Sequence, residues 1–359
     1  MYDTRKPFNG LPLLPPKSDI ETKAVLKKAI TANRALAELK GTGSLIPNQT
    51  LLINTLPLQE ALASSEIENI VTTQDELFKA AASEKSSVDP RAKEIVRYRT
   101  ALRKGYDLLA KRPLSVNMMI DICSTLLNKE IDVRKIPGTV LSNPDTGKVR
   151  YTPPEGEGVI RDMLTNLEKF VHTNDQFDPL IKMALMHYQF EAIHPFHDGN
   201  GRTGRIINIL YLVEKELLSL PILYLSRSII ARKNEYYTLL RNVTEKGEWE
   251  KWILFMLSVV EETAQWTLGQ IKDIAALFEE TTDICREELP GVYSRELVEL
   301  LFTQPYVKIS FLETAGIAKR QTASEYLRLL TGSGILKPIK AGREKVFINT
   351  KLVTLLMEK

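Results

Sequence analysis

Two apolar helical stretches flank a short polar loop in the middle of this 359-residue chain. The first, residues 178–196, reads DPLIKMALMHYQFEAIHPF, with Asp178 as the helix cap and Pro179 in the first turn. The second, residues 204–218, reads GRIINILYLVEKELL. Neither has the wide polar face of a surface helix. Both helices must be buried against other elements, which predicts a mainly α-helical domain built around this pair.

Helical periodicity covers most of the remaining chain. Further helices are predicted over residues 19–41, 50–82, 89–110, 115–128, 156–174, 233–246, 249–280 and 282–288. A short hairpin with an NPDTG turn is predicted at 139–153, and the tail from Tyr293 suggests a winged helix, with three helices and a two-stranded wing. The predicted organisation is an N-terminal helical region at 1–100, a core domain at 101–285 and a winged-helix-like domain at 290–359.

Composition argues against several classes of protein. The 48 basic and 45 acidic residues give a net charge of +3, which offers no whole-chain argument for nucleic-acid binding but leaves a local patch open. The two cysteines, Cys123 and Cys285, lack CxxC spacing, which argues against a disulfide framework and a cysteine-ligated zinc site. No apolar run of about 18 residues occurs. We therefore expect a cytoplasmic protein without a membrane span.

The loop between the two apolar helices has the composition of an anion site. Gly199 and Gly201 alternate with polar residues, so the backbone can turn its N–H groups inward just before a helix predicted to begin near Thr203. A helix N-terminus behind such a nest of amides binds anions. Arg202 and Arg205 lie three residues apart on one face of the first turn. Two fixed cations beside a nest favour a polyphosphate ligand.

Two further residues of the loop suggest a reaction at that phosphate. Asp198 would repel a phosphate unless a cation lies between them, and Mg²⁺ bound by one carboxylate and phosphate oxygens meets this condition. His194 lies at the start of the loop, and the ordinary pKa of histidine suits it to accept a proton from a hydroxyl nucleophile. Taken singly, a histidine at a helix end, a DGNG turn and paired arginines are more often structural features.

The segment HPFHDGNGRTGR, residues 194–205, resembles the motif HxFx(D/E)GNGRxxR of the Fic family. The resemblance extends over the neighbouring helices, and the layout is similar to that of bacterial Fic proteins with a C-terminal winged helix. Fic enzymes transfer AMP from ATP to a Ser, Thr or Tyr hydroxyl of a target protein. The resemblance implies that His194 is the general base, that Asp198 binds Mg²⁺ and that Phe196 anchors the loop. Relatives that transfer phosphate carry a lysine at the position of Gly201, so the glycine favours AMP transfer.

The same resemblance implies an ATP site made mainly by the loop. Asn200 and the loop amides would hold the α-phosphate, and Arg202 and Arg205 the β- and γ-phosphates. The positions expected to contact nucleotide are Glu68, Gly199, Asn200, Gly201, Arg202, Thr203, Gly204, Arg205, Tyr151 and Tyr237.

Two expectations concern the surroundings of the loop. The hairpin at 139–153 is similar to the family's flap, on which a target chain pairs as an added strand along Val149, Arg150 and Tyr151. An ordinary hairpin is the alternative. Aromatic residues after the motif are candidates for an adenine pocket, although aromatic residues on helices more often belong to the core. These residues are Tyr236, Tyr237 and Trp249.

The stretch SSEIENI, residues 64–70, has two interpretations. Ser65 and Glu68 fit S-x-x-E, the capping box of a helix start. Ser64, Glu68 and Asn69 also match the family's inhibitory signature, (S/T)xxxE(G/N). A carboxylate at position 68 would pair with Arg205 and take the place of the γ-phosphate, so that the α-phosphate is turned away from the in-line geometry. We favour the inhibitory interpretation because the helical pattern continues upstream of the stretch, where a helix start is not needed.

Other functions remain open from the sequence. A metal-dependent phosphohydrolase using His197 and Asp198 would need further metal ligands. An enzyme that also removes AMP, with the inhibitory glutamate positioning water, is a second possibility. A DNA-binding regulator is a third, with basic contacts from the C-terminal domain. The candidate contacts are Lys319, Arg320, Arg328, Lys340, Arg343 and Lys345. The expected partner is a target protein, and a homodimer and self-modification stay open.

Overall fold

A computed structural model describes residues 3–42, 49–73, 77, 80, 89–142, 146–173, 177–303, 305–341 and 344–357. The helices of the N-terminal and central parts are α1 Lys23–Thr42, α2 Gln49–Ile67, α3 Pro90–Leu109, α4 Val116–Leu127, α5 Glu157–His172, α6 Pro179–Ile193, α7 Asn200–Glu214, α8 Leu225–Ala231, α9 Lys233–Lys246 and α10 Trp249–Glu288. None of the helices in the described part of the chain is long and apolar enough to cross a membrane.

Helices α6 and α7 form the centre of the molecule, as their composition predicts. All of α6 is buried except Pro179 and Glu191, and its N-terminus is capped by Asp178, whose carboxylate accepts a hydrogen bond from the Leu180 amide at 2.8 Å. Helix α7 packs beside α6, and it is buried from Arg202 to Leu212. Helices α2, α3, α4 and α8 pack around α7 and cover it. The expected mainly helical core is confirmed.

Helix α10 is longer than the sequence suggested. The predicted helices at 249–280 and 282–288 are one continuous helix of 40 residues, against which α1 packs along its length. The expected interruption near Thr281 is wrong. The hydroxyl groups of Thr281 and Thr282 donate to the carbonyls of Leu277 and Phe278, both at 2.8 Å, so these β-branched residues are accommodated inside the helix.

Helix α2 ends much earlier than predicted. The pattern suggested a helix over 50–82, but α2 ends at Ile67 and residues 68–73 are not helical, while most of 74–82 lies outside the described residues. The stretch 64–68 therefore lies at the end of a helix. The capping-box interpretation of Ser65 and Glu68 is wrong, because a capping box requires a helix start.

The predicted hairpin is present. Strands β1 Leu141–Ser142 and β2 Val149–Tyr151 pair antiparallel, with Leu141 opposite Tyr151. Residues 143–145 of the predicted turn lie outside the described residues.

The C-terminal module contains the expected helices and hairpin together with elements the sequence did not predict. Its elements are α11 Arg295–Thr303, β3 Tyr306–Val307, α12 Ile309–Thr314, α13 Arg320–Gly332, β4 Leu336–Ala341, β5 Glu344–Asn349 and α14 Thr350–Met357. The sheet has the order β3-β5-β4, so β3 adds a third strand to the predicted hairpin. Helices α11 and α14 pack on α2, where the buried Gln59 side chain donates to the Leu356 carbonyl. The module thus covers the helix that carries the SSEIENI stretch.

Candidate active site

The polar loop occupies residues 194–199 and leads directly into α7. His194 ends α6 with φ 50° and Gly199 precedes α7 with φ 78°, so residues in left-handed conformations bound the loop at both ends. Helix α7 begins at Asn200, three residues before the expected start near Thr203. Glycine adopts a positive φ at little steric cost, which lets the chain turn into the helix at this point. Helix geometry leaves the first N–H groups of α7 without intrahelical acceptors, as an anion site requires.

The Asn200 side chain braces the loop. Its Oδ1 accepts from the Phe196 amide at 2.9 Å and its Nδ2 donates to the Phe196 carbonyl at 2.8 Å. Phe196 is buried and lies 6.1 Å from the ring of Phe190. The phenyl ring thus fixes the loop in the core. Both polar ends of the Asn200 side chain bind the loop backbone, although the sequence suggested that this side chain binds the α-phosphate.

Arg205 is buried and bound entirely by the end of α2. Its Nη2 donates to the Glu68 carboxylate at 2.8 Å and to the Ser64 carbonyl at 2.9 Å, and its Nε donates to the Ser64 hydroxyl at 2.8 Å. Burial alone would lower the pKa of the guanidinium, but the neighbouring Glu68 carboxylate raises it well above the ordinary value. The predicted pairing of Glu68 with Arg205 is therefore present, and Ser64 takes part in it.

Glu68 also lies over the start of α7. A Cβ atom added to Gly201 would lie 2.3 Å from Glu68 Oε1, which is closer than real atoms approach. Only glycine at position 201 leaves room for the carboxylate there. The Glu68 side chain is 33% exposed, so the carboxylate stands between the buried Arg205 and solvent. An anion that approached the first turn of α7 would meet this negative charge.

The position of Glu68 is fixed by the way α2 ends. The Ile70 amide donates to the Ser65 carbonyl at 2.9 Å and the Asn69 amide to the Glu66 carbonyl at 3.0 Å. These two bonds form a Schellman motif, whose residue C′ is left-handed. Asn69 occupies that position with φ 61°, and asparagine and glycine are the residues that adopt it most readily. The choice of Gly or Asn after the glutamate in the inhibitory signature thus has a backbone cause.

Arg202 is buried beside a different carboxylate. Its guanidinium pairs with Glu94, in the second turn of α3, and its Nη2 lies 3.5 Å from Asp198 Oδ1. Asp198 Oδ1 also accepts from the Gly199 amide at 2.6 Å. The Asp198 side chain is 65% exposed, at the outer edge of the loop. An exposed carboxylate beside a helix N-terminus fits a Mg²⁺ ion that takes its other ligands from phosphate and water.

His194 is half-buried, and its electrostatic surroundings keep it neutral. Burial and the nearby Arg134 guanidinium lower the pKa of His194 to about 4, against the smaller opposing effects of Glu68 and Asp198. The imidazole is therefore uncharged at neutral pH and able to accept a proton.

Thr203 and Gly204 are packed inside the first turns of α7. The Thr203 side chain is buried, and its amide donates to the Gly199 carbonyl at 2.9 Å inside the helix. A Cβ atom on Gly204 would lie 2.7 Å from Glu191 Oε1 and 3.1 Å from Phe190, so Gly204 allows α6 and α7 to pack closely. The expected contact of Thr203 and Gly204 with nucleotide stays a prediction. Burial raises the pKa of Glu191 to about 7.

The predicted aromatic residues divide into two groups. Tyr236 is buried in the core with its hydroxyl 2.9 Å from His187 Nε2. Trp249 is partly buried, packs against the core and lies edge-on to Tyr188 at 4.8 Å. Tyr237 is 36% exposed, and burial and the Glu68 carboxylate raise its pKa. It is the aromatic residue of the three that remains available near Glu68.

Tyr151 links the hairpin to the end of α6, next to the turn that contains His194. Its hydroxyl donates to the Ala192 carbonyl, two residues before His194, at 2.7 Å. Val149, Arg150 and Tyr151 form strand β2, so the segment predicted to pair with a target is extended.

Of the residues predicted to contact DNA, some are exposed, some interact with neighbouring side chains and some lie outside the described residues. Lys319 and Arg320 are exposed at the start of α13, but Arg328 pairs with Glu325 on the same exposed face at 2.6 Å, and the Lys345 ammonium lies 5.1 Å from the Phe347 ring. Arg343 lies outside the described residues, as does the side chain of Lys340.

The exposed His197 stands next to Asp198, as the phosphohydrolase interpretation supposes. Within the described parts of the chain, no group of three or more His, Cys, Asp or Glu side chains is placed to hold a metal ion, and that interpretation requires such a group.

Two residues of the site, Glu94 and Arg134, are not predicted from the sequence. Glu94 pairs with a residue 108 positions away, and Arg134 bonds to the carbonyl of His194, 60 positions away. Neither lies in a motif or has a local pattern that would have distinguished it.

Comparisons with known proteins agree with this geometry. Three protein-family models match the chain. The model described as "Fic/DOC family N-terminal" matches residues 26–107, the one described as "Fic/DOC family" matches 113–212, and the one described as "Protein adenylyltransferase SoFic-like, C-terminal domain" matches 277–352. The chain is 27% identical over 295 residues to a probable protein adenylyltransferase of Aquifex aeolicus, covering 80% of this chain and 83% of that protein. It is 27% identical over 156 residues to protein adenylyltransferase fic-1 of Caenorhabditis briggsae, covering 39% of this chain but 29% of that protein.

Solved structures share the fold. A Fic family protein from Desulfovibrio desulfuricans superposes with a TM-score of 0.58 at 19% identity, covering 93% of this chain and 98% of that one. A Fic domain containing signalling protein from Bacteroides thetaiotaomicron gives a TM-score of 0.56 at 18% identity, covering 68% and 97%. With the motif loop placed between α6 and α7, and with matches over both the N-terminal and the central parts, the chain belongs to the Fic/DOC family.

Proposed function

We propose that the chain transfers AMP from Mg-ATP to a Ser, Thr or Tyr hydroxyl of a target protein and that Glu68 inhibits this transfer in cis. The coarser statement rests on the comparisons: as a Fic/DOC protein related to proteins named protein adenylyltransferase, the chain is a nucleotidyltransferase. The observation that carries the finer proposal is the Arg205–Glu68 pair over Gly201, since it puts a carboxylate where a phosphate would bind. The division at 1–100, 101–285 and 290–359 and a cytoplasmic location belong to the same proposal.

The polar loop and the first turns of α7 supply the residues of the proposed reaction. Neutral His194 takes the proton of the acceptor hydroxyl, whose oxygen bonds to the α-phosphorus. The bond from that phosphorus to the bridging oxygen of the β-phosphate breaks, and pyrophosphate leaves. Mg²⁺, bound by Asp198, would offset the negative charge of the phosphates. The first amides of α7 hold the α-phosphate, and Arg202 and Arg205 hold the β- and γ-phosphates.

Inhibition follows from the competition for Arg205. While Glu68 occupies the guanidinium, the γ-phosphate has no partner there and meets a like charge instead. ATP can then bind only with its phosphates displaced, and the α-phosphorus is out of line with the attacking oxygen. Removal of the carboxylate frees Arg205 and should raise the rate of transfer.

The test uses ATP labelled at the α-phosphate with a cell extract as a source of targets. We expect protein-bound label to be low with wild type, at least tenfold higher with Glu68→Gly and reduced at least a hundredfold, to a small residual level, when His194→Ala is added to Glu68→Gly. Glu66→Gly is the matched control, because it removes a carboxylate from the last turn of the same helix, two residues from Glu68. It should leave the label near the wild-type level.

Other outcomes would separate the alternatives. Label from γ-labelled ATP would indicate phosphate transfer. Loss of label from modified protein during a chase, dependent on Glu68, would indicate an enzyme that also removes AMP. No label in any variant would overturn the proposal. Label on the chain itself would reveal self-modification.

A further inference from the structure

Arg134 is a buried arginine bonded to backbone carbonyls around the catalytic histidine. Its side chain is 2% exposed, its Nε donates to the His194 carbonyl at 2.8 Å, and its Nη2 donates to the Ile193 carbonyl at 3.3 Å and to the Pro154 carbonyl. Its own amide donates to the Pro195 carbonyl at 2.9 Å. One residue thus binds three consecutive residues of the turn that carries His194.

Burying the charged guanidinium of Arg134 is unfavourable for the stability of the fold. Its side-chain hydrogen bonds in the described residues go to backbone carbonyls rather than to a carboxylate, and burial lowers its pKa although the charge of Glu155 acts in the opposite direction. A buried charge without a hydrogen-bonded carboxylate is unfavourable, and an apolar side chain would fill the same space at a lower cost. The carbonyls of Pro154, Ile193 and His194 accept hydrogen bonds from the guanidinium and so compensate for its lost hydration. The same bonds hold these three carbonyls in place.

The backbone of His194 needs such support. Its φ of 50° and ψ of 59° lie in the left-handed region, which is unfavourable for a residue with a Cβ atom. The bond from Arg134 to the His194 carbonyl opposes relaxation of this peptide to an ordinary conformation. The direction of the imidazole follows from the backbone, since side chains adopt a small set of rotamers for a given φ and ψ.

Arg134 also reaches the hairpin. Pro154 follows strand β2 by three residues, so a single guanidinium bonds both to the base of the hairpin and to the His194 turn. Tyr151 makes a second connection through the Ala192 carbonyl, at 2.7 Å. These contacts fix the position of the hairpin relative to His194.

We propose that Arg134 is a positioning residue for AMP transfer: it fixes the imidazole of His194 relative to the hairpin on which a target peptide would pair. The inference rests on the proposed function and extends it. The benefit is geometric, because proton removal from an acceptor hydroxyl requires the base within hydrogen-bond reach of a nucleophile placed by the hairpin. Arg134 does not contact the phosphates, so it affects the chemical step more than ATP binding.

The test compares arginine variants made in the Glu68→Gly background. Arg134→Met should lower kcat for labelling at least tenfold while the KM for ATP changes less than threefold. Arg134→Lys keeps the charge but not the fork of donors, and it should retain an intermediate kcat. Arg161→Met is the matched control: Arg161 lies nearby, 40% exposed, and binds Asp132 at 2.8 Å. It should retain at least half of the activity.

A double-mutant cycle between Arg134 and His194 distinguishes positioning of the imidazole from a general loosening of the fold. In the Glu68→Gly and His194→Ala double variant, any residual activity should fall less than twofold on adding Arg134→Met, since the residue through which Arg134 acts is already absent. Equal losses in Arg134→Met and Arg161→Met would overturn the inference. A raised KM with unchanged kcat, or a tenfold loss that persists without His194, would also overturn it.

A measurement that needs no activity keeps the inference distinct from the proposed function. The imidazole resonances of the four histidines can be titrated by NMR, with His194 assigned by its loss in His194→Ala. Its pKa should be about 4 in the parent protein and should be higher in Arg134→Met while staying below the ordinary value, because the cation is removed but the imidazole stays buried. If Glu68→Gly gives no label, the proposed function fails but this titration still tests the contact. An unchanged His194 pKa would refute it.

Discussion

The two arginines in the first turns of α7 are paired with carboxylates from different parts of the molecule. Arg205 binds Glu68 at the end of α2, at 2.8 Å, and Arg202 binds Glu94 in the second turn of α3. Both guanidinium groups are almost fully buried. By chemistry alone the two ion pairs are alike, and each occupies an arginine that the proposed function assigns to phosphate.

The two carboxylates differ in where they stand and in what holds them. Glu68 lies over Gly201, at the site proposed for the γ-phosphate, and it belongs to the last residues of a helix end. Glu94 belongs to the body of α3, which packs on α4 and α7, and its side chain is 24% exposed. A carboxylate at a helix end can move aside without unfolding the core, whereas one inside a core helix is a fixed part of the site. Under the proposed function, the position of the carboxylate, rather than the ion pair itself, determines whether it would inhibit.

The same substitution at the two carboxylates should therefore have opposite effects. Glu68→Gln removes the competing charge and should raise labelling at least tenfold, as Glu68→Gly does. Glu94→Gln, made in the Glu68→Gly background, leaves the buried Arg202 without its counter-ion and should lower labelling at least tenfold. It should also lower the free energy of unfolding by roughly 1–3 kcal/mol, less than for a fully buried pair because Glu94 is partly exposed.

Labelling rates and urea unfolding of the two variants check this contrast. Activation by Glu94→Gln would break the comparison, since Glu94 would then be a second inhibitory carboxylate. No change in either quantity would mean that Arg202 needs no partner.

Much of the site was predictable because it is local in sequence. The positions of His194, Asp198 and the two arginines follow from one uninterrupted motif, and the burial of α6 and α7 follows from their composition. The partners of these residues come from elsewhere in the chain. Glu94 and Arg134 have no local signal, because a glutamate in an amphipathic helix or an arginine before a hairpin is ordinary until the fold brings it to α7.

The errors of prediction also have physical causes. The pattern S-x-x-E at Ser65 and Glu68 is compatible with either end of a helix, and only the left-handed Asn69 identifies it as a C-terminus. The expected contact of Asn200 with a phosphate stays a prediction, and in this structure both ends of its side-chain amide bind the Phe196 peptide. The DNA contacts expected in the C-terminal module and the exact sites of nucleotide contact stay predictions.

The pH dependence of transfer provides a second contrast between the two carboxylates. Glu68 is among the charges that raise the pKa of His194, and Glu94 is not among its principal influences. The pKa of His194 is about 4, below the ordinary 6.5, so the base stays neutral as the pH falls until about 4 is approached. In the Glu68→Gly variant, kcat/KM at pH 5.5 should remain above half of its value at pH 7.5.

An unperturbed histidine would give a different profile. With a pKa of 6.5, about a tenth of the base would be neutral at pH 5.5, and kcat/KM would fall about tenfold. Such a fall would contradict the buried, Arg134-flanked environment of His194. The sign for stability follows from the same shift: folding favours the neutral imidazole, so the free energy of unfolding should decrease as the pH falls from 6.5 toward 4.

The smallest expected effect tests how firmly the end of α2 holds Glu68 in place. Asn69 holds the helix end with φ 61°, and the Schellman bonds from Ile70 and Asn69 depend on that conformation. Asn69→Gly keeps the left-handed conformation and loses only the exposed bond to Lys233, so basal labelling should stay within twofold of wild type. Asn69→Ala strains it by about 1 kcal/mol, which would shift the balance toward release of Glu68 and raise basal labelling about fivefold. Equal labelling by the two variants would mean that the helix end does not control the position of Glu68, and the contrast with Glu94 would then have to rest on Gly201 and the space above it.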